Sequence, residues 1–208
     1  MANDDSPRAL ILASQSPRRK TLLSQTGHKF SVIPANIEEP PPGQDQTPES
    51  YAQHVARLKA EQVARRFPDR WVIGADTIVV INNQILGKPV SPADARRMLR
   101  QLGGHCHRVM TGCAIICKQQ INRFLATITT QVTFKPLSTR EIDWYISSGE
   151  PFDKAGAYAI QEKGAQLVRK INGSYTNVVG LPVCEVVEFL NSIGLSPFSA
   201  QAHKYPAY

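Results

Sequence analysis

The sequence predicts an α/β protein with a mixed central sheet and flanking helices. Three observations carry that expectation. Short, wholly apolar runs such as ALILAS at residues 9–14 suit buried strands. Two long β-rich runs at residues 108–117 and 124–134 suit an antiparallel hairpin, and capped segments with helical spacing lie between these strands. A helical bundle would lack the strands, and a sandwich would lack the helices.

In chain order, the strand at residues 9–14 gives way to Pro17, which is favoured in a first helical turn because its missing N–H would be unpaired there. Leu22 and Leu23 belong to that helix and Gly27 ends it; residues 29–33 (KFSVI) then alternate like a second strand. Residues 34–48 hold Pro34, Pro40, Pro41, Pro42 and Pro48 together with Gly43 and no apolar period. They are expected to form a loop, and a loop of that length inside a compact domain is usually functional or disordered. Val55, Leu58, Val63 and Phe67 fall near helical spacing across residues 49–67. Residues 71–81 (WVIGADTIVVI) read as a strand interrupted at residues 74–77, and the pair Asn82-Asn83 suits a hairpin turn because Asn tolerates positive φ.

Ser91 is expected to cap a helix with Ala95, Met98, Leu99 and Leu102 on one face, stopped by Gly103-Gly104. The long hairpin follows, turning around residues 119–122. Ser138 with Glu141 three residues later is a capping box that opens a helix to about Ser148. Residues 151–156 read as a second ligand-facing loop, and residues 179–193 as the last core helix. One domain is expected at residues 8–194, with flexible termini at 1–7 and 195–208.

A chain of 208 residues can bury a core without disulfides or a structural metal. The longest run made only of Ile, Leu and Val, residues 78–81, is far short of the ~20 apolar residues that cross a bilayer. The acidic pair Asp4-Asp5 before five apolar residues does not resemble a secretory leader, so a cytosolic location is expected. The four cysteines, Cys106, Cys113, Cys117 and Cys184, form no CxxC pair. Cys113 and Cys117 are placed on one face of a strand as small hydrophobes, reduced and buried thiols are expected throughout, and a zinc site from His105, Cys106, His107 and Cys113 has the wrong spacing.

The formal charge is +7, and its distribution is uneven: residues 71–140 carry 9 basic and 2 acidic side chains, whereas the flanking thirds are nearly balanced. A local excess of this size suits an anionic ligand, and a nucleotide satisfies it as well as a nucleic acid does.

Five segments could carry chemistry. Residues 14–20 (SQSPRRK) sit where a strand meets a helix N-terminus, which attracts anions, and Arg18 and Arg19 add bidentate phosphate donors; a plain capped helix with solvated basic residues is the alternative. Asp76, between apolar strand residues, suits a metal ligand or a base for water, or else the cap of a local turn. Lys88 follows the hairpin and could return beside Asp76 to neutralise phosphate charge, though most such lysines are surface lysines. The pair Glu38-Glu39 could supply an oxygen to Mg²⁺. Gln161 has an amide able to read a base edge. The P-loop, dinucleotide, hydrolase-elbow and zincin signatures are all missing from the sequence.

ALILASQSPRRKTLL, the Ile37-Glu38-Glu39 loop, GADTIVV, ILGKP, DKAGAYAIQ and INGSYTNVVGLP follow one another in an order and spacing that resembles the Maf family of nucleoside triphosphate pyrophosphatases, from about residue 9 to 194. The resemblance implies two lobes around a nucleotide-binding cleft. It also implies hydrolysis of the α–β phosphoanhydride to a monophosphate and pyrophosphate with a divalent cation, Mg²⁺ or Mn²⁺. Arg18, Thr77 and Gln161 match the dTTP/UTP type; the 7-methyl-GTP type usually has Trp and Glu at the first two of these positions. Carried over position by position, Asp76 becomes the general base, Glu39 and Asp76 the metal carboxylates, Ser14, Arg19 and Lys88 the phosphate ligands, and Arg18, Thr77 and Gln161 the substrate-specificity residues.

The resemblance also implies a lysine in an ExKA-like stretch of the helix after the Pro-rich loop. Its place is assigned here to Gln62, with Lys59 three residues earlier as a substitute. A small-molecule nucleotide is the expected partner, with no membrane and no nucleic acid, and a homodimer is the expected assembly where one forms. The alternatives are a broader pyrophosphatase acting on CTP or modified UTP, an inactive family member, and a nucleic-acid-binding regulator using Arg96, Arg97 and Arg100.

Overall fold

A computed structural model describes residues 10–121 and 123–197. The expected flexible terminus at 1–7, the part of the expected tail at 195–208 that follows residue 197, and Asn122 in the hairpin turn lie outside the described residues. Residues 195–197 are described, and the Leu195 amide donates to the Leu190 carbonyl at 2.8 Å.

Seven strands form one mixed sheet: β1 (Leu10–Leu12), β2 (Phe30–Val32), β3 (Trp71–Ile81), β4 (Gln84–Leu86), β5 (Cys106–Ile116), β6 (Arg123–Phe134) and β7 (Val168–Asn172). The order is β2-β1-β3-β5-β6-β7, with β4 also pairing β3. β1 runs parallel to β2 and β3, and the other pairs are antiparallel. The helices are α1 (Pro17–Ser24), α2 (Pro48–Ala64), α3 (Pro92–Leu102), α4 (Thr139–Ser147), α5 (Tyr175–Val179) and α6 (Val183–Ser192). No helix among the described residues is long and apolar enough to cross a membrane.

The helix starts follow the expected chemistry. Ser16, Ser91 and Ser138 each accept an N-terminal amide, the last within a full capping box. Asn82 and Asn83 take φ of 49° and 59°, the two-residue turn expected between β3 and β4.

β3 differs from expectation in being continuous through residues 74–77. Its alternate residues face opposite sides: Trp71, Ile73 and Ala75 pack with α1 and α6, while Val72, Ile78 and Val80 pack with α2. Gly74 and Gly112 face α2, where a Cβ would come within 2.3 Å of the Ala56 carbonyl oxygen and 2.1 Å of that of Ala52. These two glycines, with Ala52, Ala56 and Ala60 on the helix, let α2 press its backbone onto the sheet. What looks like a turn signal in GADT is a close-approach signal inside a strand.

Three further expectations change. Residues 179–193 do not form one helix: α5 ends at Gly180, with φ of 131°, and Pro182 precedes α6. Residues 150–167 form three 3₁₀ turns, Glu150–Asp153, Ala155–Ala157 and Glu162–Leu167, which lead into the edge strand β7. Cys113 and Cys117 are buried in one cluster as expected, but Cys106 and Cys184 are exposed. No group of three or more His, Cys, Asp or Glu residues poised for a metal occurs among the described residues.

The sheet opens at one point. β1 pairs β3 only over residues 71–73 and β4 pairs it only over 79–81, so residues 74–78 have no strand on that side among the described residues. The chain leaves β1 there and enters α1, whose N-terminus faces the opening. Ligands of open α/β sheets bind at such carboxyl ends of strands.

Candidate active site

The opening in the sheet is a cleft of about 720 Å³. Asp76 and Thr77 lie at its floor on successive, opposite faces of β3. Ser14, Arg18, Arg19, Glu39, Lys88 and Gln161 all line the same cleft, so all the site residues carried over from the family resemblance converge on one place. Glu38 is exposed and does not line it.

On the α2 face, Lys59 Nζ donates to Asp76 Oδ1 at 2.7 Å and pairs with Glu39 Oε1 at 2.7 Å. The Lys59 and Asp76 side chains are only 12% and 11% exposed, so each charge is the other's principal compensation in a poorly solvated place. Of the two positions considered on α2, it is Lys59 and not position 62 that brings a cation to the site. Lys59, one residue before the buried Ala60, is the side chain that reaches the carboxylates, while the Gln62 amide donates to the Asn36 carbonyl at 2.6 Å.

That bond and the Tyr51 hydroxyl, which donates to the Pro40 carbonyl at 3.1 Å, tie the Pro-rich loop to α2. The loop's position, and with it that of Glu39, is thus set by the helix. Burial, helped by the Asp76 and Glu39 carboxylates, pushes the Tyr51 phenol above its ordinary pKa.

On the opposite face, Arg19 is held at three nitrogens. Nε donates to the Gly180 carbonyl at 2.7 Å, Nη1 to Ser14 Oγ at 3.3 Å, and Nη2 to Thr77 Oγ1 at 3.1 Å. Burial presses its pKa below the usual value and the Asp76 carboxylate offsets part of that. Ser14 also accepts the Ser16 amide at 3.2 Å, which closes the β1–α1 turn.

Arg18 points across the cleft to Asp153, 3.6 Å away. Asp153 also pairs with Lys154, whose Nζ donates to the Glu150 carbonyl at 3.2 Å. Burial is the largest single influence and raises the Asp153 carboxyl, but the Lys154 bond together with the Lys154 and Arg18 charges outweighs it and the net shift is downward. Lys88 is exposed on the rim and forms no ion pair among the described residues. Gln161 occupies the N-cap position of the third 3₁₀ turn on the far wall, with its side chain making no capping bond.

Lys59 enters the sequence reading only as a substitute for position 62, and Lys154 and Thr111 are not singled out there. A signal for the first was present: Ala52, Ala56 and Ala60 mark at i, i+4 and i+8 the helix face pressed to the sheet, and Lys59 borders that face. The arginines of the alternative nucleic-acid footprint are largely neutralised, since Arg96 pairs with Asp143 at 2.6 Å and Arg97 with Asp94 at 2.8 Å.

The fold and the cleft together define an α/β protein with a buried carboxylate ringed by cations at a break in its sheet. The family model described as Maf-like protein matches residues 9–193, and the chain belongs to that family. It is 48% identical over 194 residues to a dTTP/UTP pyrophosphatase of Syntrophus aciditrophicus, covering 93% of this chain and 94% of that protein. It is 51% identical over 186 residues to a dTTP/UTP pyrophosphatase of Geobacter sulfurreducens, covering 89% and 96%. Among solved structures, a nucleoside-triphosphatase / dITP/XTP pyrophosphatase from Mycobacterium abscessus aligns at 12% identity with a TM-score of 0.40, over 62% of this chain and 75% of that one.

Proposed function

We propose that this protein hydrolyses the α–β phosphoanhydride of dTTP and UTP, releasing the nucleoside monophosphate and pyrophosphate. The observation that carries the proposal is the placement of Asp76, 11% exposed at the break in the sheet, with Arg18, Arg19, Lys59, Lys88 and Lys154 lining the same cleft. The names of the two relatives supply the substrates.

In this reading Asp76 is the general base. Its Oδ1 is engaged by Lys59, and no protein donor among the described residues is bonded to Oδ2, which is the oxygen left to accept a proton from water. The triphosphate lies along the cations, with Ser14, Arg19 and Lys88 at the phosphates, where fixed charges stabilise the charge developing on the departing pyrophosphate. Arg18, Thr77 and Gln161 are the substrate-specificity positions.

Glu39 and Asp76 are hard oxygen donors that already converge on one cation, the Lys59 ammonium, and this chemistry fits Mg²⁺ or Mn²⁺. When bound, the metal would neutralise phosphate charge and acidify water. Two carboxylates are a usual protein share for Mg²⁺, with phosphates and water as the remaining ligands. The same reading makes the protein a cytosolic remover of surplus or non-standard pyrimidine nucleotides.

The test is turnover of a triphosphate panel with product identification. Release of pyrophosphate from dTTP and UTP ahead of CTP and purine nucleotides is expected. Release of orthophosphate would overturn the bond assignment, preference for CTP or a modified UTP would establish the broader enzyme, and oligonucleotide binding without turnover would establish the regulator.

A further inference from the structure

We infer that Thr111 is a positioning residue for the phosphate site: through Thr77 it fixes the guanidinium of Arg19. The inference rests on the role proposed above for Arg19.

Thr111 is fully buried in β5, directly opposite Thr77 of β3 and on the sheet face away from Asp76. A threonine hydroxyl has one proton to give and two lone pairs. Thr111 donates its proton to the Asn177 carbonyl at 2.9 Å. Its 2.9 Å contact with the Thr77 hydroxyl therefore has only one consistent direction, with Thr77 donating and Thr111 accepting. Thr77 in turn accepts from Arg19 Nη2. The result is a one-way chain from Arg19 to Thr77 to Thr111 to the Asn177 carbonyl.

The far end of that chain is fixed. Asn177 is fully buried, and its amide donates to the Val109 carbonyl at 3.2 Å and to Thr130 Oγ1 at 2.9 Å. The short helix that carries it ends at Gly180, whose carbonyl accepts Arg19 Nε. Arg19 is thus gripped from the same helix twice, directly at Nε and through two hydroxyls at Nη2. A second consequence concerns Thr77 itself: with its proton committed to Thr111, it can offer a substrate only a lone pair. Its influence on specificity then runs through the placing of Arg19 and through acceptance of a donor, never through donation.

The experiment compares Thr111→Val, which removes the hydroxyl at nearly constant volume, with Thr111→Ser, which keeps it, in the full-length protein. Calorimetry reads the Kd of inorganic pyrophosphate, and steady-state kinetics reads KM and kcat for dTTP. Loss of the two buried hydrogen bonds of this hydroxyl, of which the one from Thr77 bears on Arg19, should weaken pyrophosphate binding and raise KM about tenfold, with kcat changed by about twofold or less. Thr111→Ser should restore most of the loss, and Thr111→Val should add nothing in an Arg19→Lys background, where the gripped guanidinium is gone.

Parental pyrophosphate binding by Thr111→Val would overturn the inference. So would a Thr111→Ser variant as impaired as the valine, which would assign the effect to packing, or an undiminished valine effect beside Arg19→Lys. Should Thr111→Val not fold, Thr111→Ala carries the same predictions. A parent that releases no pyrophosphate from dTTP or UTP would overturn the proposed function instead, and pyrophosphate binding would still decide the role of Thr111.

Discussion

The two walls of the cleft are held by different means. One wall consists of β3, the β1–α1 turn and α2. Its functional side chains are locked by paired charges at Lys59, Asp76 and Glu39, and by the hydroxyl chain that ends on Arg19. The other wall, residues 149–167, is a succession of 3₁₀ turns in which Ala157 and Glu162 both take positive φ. It hangs on a few long-range bonds: the Gly156 amide to the Gly87 carbonyl, the His107–Tyr158 contact at 2.7 Å, and the bonds around Glu150. A wall of regular elements keeps a carboxylate and cations in fixed geometry, which a hydrolytic step needs. A wall of turns can vary its lining without disturbing the sheet, which suits discrimination among bases.

The comparison breaks most sharply at Asp76. Asp76→Asn keeps the size and a hydrogen-bonding partner for Lys59 but loses the base, and turnover should fall by about 10³-fold. The fold and the affinity for pyrophosphate should be retained, because Arg19 and Lys88 are untouched, while the thermal midpoint should fall because Lys59 keeps only the Glu39 charge beside it. Turnover of dTTP at the parental rate would remove Asp76 from the role of base.

The same contrast explains what was legible in the sequence. The β1–α1 turn announces itself locally, through an apolar run, a Ser cap and a Pro in the first turn, and these lie within ten residues of one another. Thr111 carries no such mark, since its importance comes from a cross-strand pairing with a residue 34 positions away. Lys59 reads from the sequence only as a substitute because its role depends on which face of α2 meets the sheet, and that is decided by Gly74 on β3 and Gly112 on β5. The far wall was least legible: 3₁₀ turns have no apolar period, and β7 is a five-residue edge strand with mostly exposed side chains. The break between α5 and α6 was signalled by Gly180 and Pro182, a signal outweighed there by the apolar residues on either side.

A second prediction probes how the wall of turns is stapled to the sheet. His107 sits in β5, 2% exposed, against Phe134 and Tyr158, and burial pushes its pKa from 6.5 down to about 4, with the His105 backbone pulling weakly the other way. The unfolded chain takes up this proton near pH 6.5 and the folded chain only near pH 4. The stability contributed by a neutral His107 is therefore complete above pH 6.5 and is lost as pH falls toward 4, by roughly 3 kcal/mol in all. His107→Gln, which keeps a hydrogen-bonding group for Tyr158, should flatten that part of the curve. Denaturant midpoints measured from pH 7.5 to 4 check this, and equal slopes for parent and variant would show that His107 is not the group that titrates.

The smallest expected effect sharpens the comparison most, because it separates the walls. Glu150 accepts the Tyr145 hydroxyl at 2.9 Å and the Gly164 amide at 3.0 Å on one oxygen, and the Lys163 amide at 3.1 Å on the other. Glu150→Gln retains the first oxygen but sets an NH₂ group against the Lys163 amide, donor against donor. Losing one charge-assisted bond and weakening the others should cost about 2 kcal/mol of stability. Glu150 does not line the cleft, so the damage reaches the substrate only through the turns that carry Asp153, Lys154 and Gln161. KM for dTTP should therefore rise several-fold while kcat and pyrophosphate affinity hold. A fall in pyrophosphate affinity as large as the rise in KM would mean that the two walls are coupled, and that the far wall also sets the geometry of the phosphate site.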